Sequence, residues 1–291
     1  MVSLGVVFRP QLPPERLRSV ARAAEEAGLE QLWLWEDCFL ESGIAAASAA
    51  LAWTERLRVG VGLLPVPLRN VALTAMEAAT VHRMFPGRAV LAVGHGVQDW
   101  MGQVGVRAES PLTLLREYTD ALRGLLRGER LTVDGRYVRL DGVALGWPPP
   151  QVPAVLGGAS GPRSLRLVAE AADGAVLTAG TSPEAVRRMR RLLDETPPPE
   201  GGGGRRELVV YLHTATGATG PGADARMRAE LEAFGDTPDT AATGDAATVA
   251  AAVERLAEAG ADTVVLQPAA DEPDVEGFIR FAAREVRPLV G

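Results

Sequence analysis

The chain has 291 residues, 47% of them hydrophobic and 23% charged, with a formal net charge of −7 and one cysteine. That length can bury a large core, and the acidic balance argues against a general nucleic-acid binder or a ligand of anionic membrane, both of which need a basic face. The lone Cys38 excludes an intrachain disulfide and fits a reducing, cytoplasmic setting.

In chain order, the N-terminus has no basic stretch followed by a long apolar run, so no signal peptide is expected. Val2–Phe8 is a short apolar run expected as a strand. Pro13-Pro14-Glu15 opens a helix in which Leu17, Val20, Ala21, Ala24 and Ala27 keep the 3.6-residue period, and Gly28 closes it. Gln31–Trp35 is the second strand. A helix over 43–53, whose Ala-rich run is too short to span a bilayer, leads to a strand over 57–62. A helix over 72–84, stopped by Pro86-Gly87, leads to a strand over 89–93. Ser110-Pro111 caps and starts a helix to about Leu126. Leu131–Val133, the turn Asp134-Gly135 and Tyr137–Leu140 read as a hairpin.

Ala154–Leu156 is the fifth main strand, followed by a helix over 163–172 and the strand Ala175–Leu177. Ser182-Pro183-Glu184 caps the next helix, to about Leu193. Pro197–Gly204 reads as a mobile Pro/Gly loop, and Leu208–Leu212 as the seventh strand. Residues 217–244 are polar and Gly-rich, with one amphipathic stretch at 225–234. Ala257-Glu258-Ala259-Gly260 repeats the helix-and-glycine design of Ala24–Gly28 ahead of the last strand, Thr263–Gln267. A helix over 274–286 ends the chain.

Eight apolar strands separated by helices predict a parallel sheet covered on both faces, closed into a (β/α)8 TIM barrel. A single domain over 1–291 is expected. An open doubly wound sheet is the alternative, disfavoured because the first and last units look alike and no interdomain linker is evident.

In such barrels the chemistry sits at the C-terminal strand ends, and polar residues collect there. Gly157-Gly158-Ala159-Ser160-Gly161-Pro162 lies between a strand and a helix, where glycine amides and the helix N-terminus suit a phosphate; a plain turn is the alternative. Thr178 can add a hydroxyl. Asp37 follows a Trp-rich strand and either meets a ligand or caps the next helix; Glu36 beside it points the other way in extended chain. Cys38 reads as an inert buried thiol rather than a nucleophile, since no histidine is near. His95, between Gly94 and Gly96, is a candidate acid/base. Three scattered histidines, His82, His95 and His213, do not make a metal site. Trp100, just past a strand end, is a candidate pocket wall.

Four segments in order carry a resemblance over nearly the whole chain: Leu57–Leu64 with Arg69; Phe85-Pro86-Gly87-Arg88 leading to Gly94-His95-Gly96; Gly157-Gly158 through Arg163 leading to Ala172-Asp173-Gly174; and Ala259-Gly260-Ala261-Asp262 leading to Leu266. Together they resemble the bacterial luciferase-like superfamily of flavin- and deazaflavin-dependent oxidoreductases. The resemblance implies a TIM barrel that binds coenzyme F420 or FMN at its strand ends and acts as a homodimer on a small-molecule substrate. It implies a cis peptide at Gly62–Leu63 behind the ring, with Cys38, Gly94, His95 and Gly96 around it. It places the phosphate at Gly157, Gly158, Ala159 and Gly161 with Thr178 nearby, and a ring-facing carboxylate at Asp37. One departure stands out: where related sugar-phosphate dehydrogenases follow that aspartate with a catalytic histidine, this chain has Cys38, which leaves His95 as the substitute proton donor. The expected activity is hydride transfer between F420 and an organic substrate. An FMN-dependent monooxygenase and a non-catalytic flavin-binding barrel are the alternatives.

Overall fold

A computed structural model describes every residue from Met1 to Gly291. The elements run β1 (Ser3–Val7), α1 (Leu17–Ala27), β2 (Gln31–Leu34), α2 (Gly43–Ala52), β3 (Arg58–Pro65), α3 (Val71–Met84), β4 (Ala89–Gly94), α4 (Gln98–Gln103) and α5 (Pro111–Leu126). The hairpin β5 (Leu131–Asp134) and β6 (Arg139–Val143) follows, then β7 (Val155–Gly158), α6 (Pro162–Ala171), β8 (Gly174–Leu177), α7 (Pro183–Glu195) and β9 (Glu207–Ala215). The chain ends with α8 (Ala223–Phe234), β10 (Ala241–Thr243), α9 (Ala246–Glu258), β11 (Thr263–Pro268) and α10 (Val275–Phe281). No helix is long and apolar enough to cross a membrane.

The parallel pairing β1-β2-β3-β4-β7-β8-β9-β11 closes through β11 on β1, so the sheet is an eight-stranded barrel and not an open sheet. The strands are apolar on both faces because each face meets protein. Outward residues such as Leu32 and Leu34 join the 69-residue core between barrel and helices. Inward residues form a separate cluster of nine that includes Val7, Trp33, Leu156 and Tyr211.

Trp33 fills much of this interior and is fully buried. Three neighbours give way to it as glycines. A Cβ on Gly5 would lie 3.0 Å from its Cδ1, one on Gly62 3.1 Å from its Cζ3, and one on Gly60 would collide with the face of the indole. Its Nε1 donates to Gln31 Oε1 at 2.9 Å; Gln31 donates in turn to Thr263, and Thr263 to Glu207 at 2.9 Å. A large inward side chain and three absent ones therefore fit as one unit at native packing density.

The N-terminal end of the barrel is held by charged residues. Arg88 donates to the carbonyls of Leu51 and Leu57 and to the Thr54 hydroxyl. Asp173 takes a two-point ion pair from Arg123 and the Val155 amide. Asp262 accepts from the Leu208 amide, Arg190 and Arg205. In the Pro/Gly loop after α7, the Glu200 carbonyl accepts from Arg123 and Arg127 at 3.0 Å each.

One departure from the sequence expectation is at 217–244. The polar stretch folds as α8 and the short ninth strand β10, which pairs with the C-terminal part of β9 beyond the point where β8 leaves it. Met227 and Leu231 pack on Ala215 to give this insert a small core of its own. Its apolar contacts are few and spread over 28 residues, which is why periodicity exposed only part of the helix.

Past β2, Glu41 is partly buried and neither carboxylate oxygen has a hydrogen-bond partner. Burial pushes its carboxyl up to about 7. A folded-state value above the unfolded one means the neutral form stabilises the fold below about 4.5, and that contribution is lost as pH rises through about 7.

Two outcomes are expected. Gly60→Val should lower stability by about 1–3 kcal/mol or more through overpacking against Trp33, read as a lower urea midpoint at unchanged m, whereas Gly161→Ala, at an open site, should stay within about 0.5 kcal/mol. Glu41→Gln should raise stability near pH 8 by on the order of 1 kcal/mol, a figure reduced for partial solvent screening, and change nothing near pH 4. Equal effects at both pH values would contradict the burial argument.

Candidate functional site

Side chains alternate along a strand, so each inward row continues to the C-terminal mouth of the barrel. The next inward positions there are Arg9, Trp35, Gly94, Gly158, Thr178, His213 and Gln267. Above them opens a cleft of about 540 Å³.

Its floor is built by β3. The register against β4 slips between Val61 and Leu64, and the Gly62–Leu63 peptide is cis, as the resemblance implies. The Leu63 side chain lies over Gly94 and Gly158, where a Cβ on either glycine would overlap it. Below, the Tyr211 hydroxyl donates to the Gly62 carbonyl at 3.2 Å. The Tyr211 ring meets Trp33 edge-on at 5.9 Å and Trp35 at 6.1 Å. Burial pushes the Tyr211 phenol up, so it stays a donor.

A second wall is the β7–α6 turn. Gly158, Ala159 and Ser160 line the cleft, joined by Ser164 from the first turn of α6 and Thr178 from the end of β8. The first amides of a helix lack intrahelical partners and carry the positive end of its dipole, so this corner suits an anion. His95 belongs to the same corner: its Nε2 and the Ser164 hydroxyl are 2.9 Å apart. Burial pulls the His95 imidazole down, which keeps it neutral near pH 7. Gly96, with φ of 65°, turns the chain beside it.

At the β2 end the two adjacent carboxylates separate. Glu36 accepts from Arg69 at 2.9 Å and from the Gly43 amide at 2.8 Å, so it serves the start of α2. Asp37 lines the cleft with Gln11, whose amide approaches Asp37 Oδ2 at 3.5 Å. Burial raises the Asp37 carboxyl, opposed by Trp35, Arg9 and Gln11. The helix-cap alternative for Asp37 is thus taken by its neighbour.

Of the residues singled out from sequence, Asp37, Gly62, Leu63, His95, Gly96, Gly158, Ala159 and Thr178 line this cleft, and so does Trp100. Four do not. Gly157 points outward, where a Cβ would press on Val168 of α6. Gly94 points inward but is covered by Leu63. Gly161 is the exposed N-cap of α6 and is not part of the lining. Cys38 is half-buried outside the lining, and its thiol is pushed up by burial and by Glu36 and Asp37, so it remains protonated.

Sequence reasoning missed Tyr211, Phe234 and Asp236 in the lining and Arg9 beneath it. Counting by twos from Gly5 and Val7 finds Arg9, and from Val209 finds Tyr211. Nothing local marks Asp236, which lies in the insert.

The comparisons agree with this architecture. The family model for luciferase-like monooxygenases matches residues 5–242. The 5,10-methylenetetrahydromethanopterin reductase of Methanolobus tindarius is 31% identical over 179 residues, covering 61% of this chain and 54% of that protein. The F420-dependent glucose-6-phosphate dehydrogenase of Nakamurella multipartita is 31% identical over 188 residues, 60% of this chain and 55% of that protein. The chain spans about half the length of these curated relatives. Among solved structures, an F420-dependent secondary alcohol dehydrogenase in complex with an F420-acetone adduct superposes with a TM-score of 0.86 at 21% identity, over 100% of this chain and 99% of that one, a likeness of fold. With the model matched over most of the chain, this chain belongs to the luciferase-like monooxygenase family.

Proposed function

We propose that this protein is an oxidoreductase that transfers hydride between coenzyme F420 and a small neutral organic substrate. The observation that carries the reading is one cleft joining an apolar floor, Leu63 backed by Trp35 and Tyr211, to an amide-rich anion corner at the start of α6. A planar ring with a phosphate-bearing tail needs both. FMN shares those features; what favours F420 is that the related dehydrogenase and the alcohol dehydrogenase of like fold are F420-dependent by name. No arginine or lysine lines the cleft, which disfavours a phosphorylated substrate.

A bound deazaflavin supplies a two-electron carrier that takes or gives hydride at one ring carbon. The protein binds and orients. The amides of Gly158–Ser160 and of the first turn of α6, with the Ser164 and Thr178 hydroxyls, hold the phosphate. His95, neutral and on Ser164, supports that corner, which moves it from the proton-donor role to cofactor binding. Leu63 backs the ring, and Asp37 lies at its rim. Cys38, Gly94 and Gly157 act one layer behind, through packing, and Gly161 sets the turn into α6 as its N-cap. A homodimer is part of the reading: Leu73, Met76 and Met84, at helical spacing on α3, are 46%, 58% and 64% exposed and form an apolar stripe.

Anaerobic titration with F420 and, separately, FMN tests the cofactor. F420 binding with FMN weaker is expected; tight FMN binding with none for F420, or oxygen consumption with reduced FMN, would replace this reading by the monooxygenase one. Gly161→Asp sharpens the test. Gly161 has φ of −81° and open space around it, so an N-cap aspartate fits and should hold or raise stability. Its carboxylate would compete for the α6 amides and should weaken F420 at least about tenfold. Unchanged affinity would remove α6 from the phosphate site. Light scattering should give twice the chain mass, and a monomer at micromolar concentration would rule the dimer out.

A further inference from the structure

The β9–β11–β1 side of the mouth carries a buried polar network that cofactor binding does not use. His213 at the end of β9 is 1% exposed. Its Nε2 lies 3.0 Å from Asp236 Oδ2, and its ring packs tilted against Phe234, centroids 5.3 Å apart. Gln267 Nε2 donates to His213 Nδ1 at 3.4 Å, which fixes the tautomer: Nδ1 accepts, and Nε2–H donates to Asp236. Behind it, Glu230 stands 3.9 Å from Nδ1 and is held by Arg9 and by the Ala270 amide. Arg9 also donates to the Pro268 carbonyl at 2.9 Å and lies 5.8 Å from the Trp35 ring. Strands β1, β9 and β11 and helix α8 thus lock one imidazole.

Asp236 and Gln267 both take this network into the cleft, and of the two only Asp236 brings a carboxylate. Its Oδ2 is occupied by His213, whereas Oδ1 takes no hydrogen bond from the protein. The turn after β8 passes beside it as Gly180, where any Cβ would collide with the carboxylate, so no side chain covers it. The charges facing this carboxylate are His213 directly, Glu230 through His213, and Arg9 through Glu230.

We propose that Asp236 is the catalytic proton acceptor for oxidation of a neutral alcohol, with His213 as its positioning residue; this rests on the F420 reading above. It fills the role that a histidine at the Cys38 position would otherwise have. In the oxidative direction, the alcohol donates its hydroxyl to Asp236 Oδ1. The O–H bond breaks and the proton goes to that oxygen. Oxidised F420, when bound, would supply the hydride acceptor: the carbinol C–H bond would break with its hydrogen leaving as hydride, and the C=O bond would form. The substrate loses two electrons and two hydrogens, one as hydride and one as proton. The reverse reduction of a ketone returns both. An amine fits less well, since at neutral pH it is protonated and resists hydride loss.

Wild type, Asp236→Asn and His213→Gln are loaded with F420 and assayed on neutral secondary alcohols from 2-propanol to cyclohexanol. Turnover by wild type is expected. Asp236→Asn should bind F420 within about twofold of wild type, lose about 100-fold or more in kcat, and lose the acidic limb of its pH profile. His213→Gln should keep that limb at a shifted pH, with a smaller loss. Asp236→Asn at wild-type rate, or F420-loaded wild type without turnover on any alcohol, overturns the inference and leaves the cofactor assignment standing. Failure of wild type to bind F420 overturns the reading beneath it. A cofactor-free readout comes from 15N-imidazole NMR, with only three histidines to assign. His213 should carry its proton on Nε2 in wild type, with Nδ1 unprotonated, and a proton on Nδ1 instead overturns the pairing.

Discussion

Trp33 inside the barrel is the constraint from which the site follows. An indole of that size fits only because Gly5, Gly60 and Gly62 present no side chains to it. The same glycines leave the upper interior free for Tyr211, whose hydroxyl reaches the Gly62 carbonyl and so fixes the strand just before its irregular turn. Leu63 is then presented upward over Gly94 and Gly158. The floor of the cleft is thus the upper surface of the core packing, and a change in the packing below moves the surface on which a ring would lie.

The two ends of the barrel divide the chemistry. At the N-terminal end, Arg88, Asp173 and Asp262 are satisfied by backbone groups and by each other's neighbours, and they hold strands to helices. At the C-terminal end, polar groups are left with a free valence toward the opening: Asp37, Thr178 and Asp236 line the cleft. Separating satisfied charges from available ones lets the site be polar without weakening the fold.

This division also explains what could be read from sequence. The barrel was legible because parallel strands leave long apolar runs, and glycine stops such as Gly28 mark the joints. The family resemblance rested partly on Phe85–Arg88, Ala172–Gly174 and Ala259–Asp262, which prove to be joints of the structural end and say little about chemistry. The β7–α6 turn proposed as the anion corner was legible as a turn because glycines, a strand end and a helix start coincide within six residues. Strand parity separates Gly157 from its neighbour Gly158: its missing Cβ faces Val168 in the helix layer, outside the cleft lining. His95 looked catalytic as an isolated histidine between glycines, and only its distance to Ser164, 69 residues on, ties it to α6. The Asp236–His213 pair was not legible at all, because 23 residues separate its members and one lies in a stretch with little apolar pattern.

The insert carrying Asp236 leaves β9 and returns alongside it as β10 before α9 resumes the ordinary βα unit. Its two ends are therefore neighbours on a strand that belongs to the barrel in any case. A lineage could exchange these residues for others without rethreading a single barrel strand, and would change the groups offered to the substrate while the ring floor and anion corner, built by β3, β4 and β7, stayed as they are. For protein engineering this makes the segment between β9 and α9 a graftable module, in which the choice of reactant can be rewritten independently of the choice of cofactor.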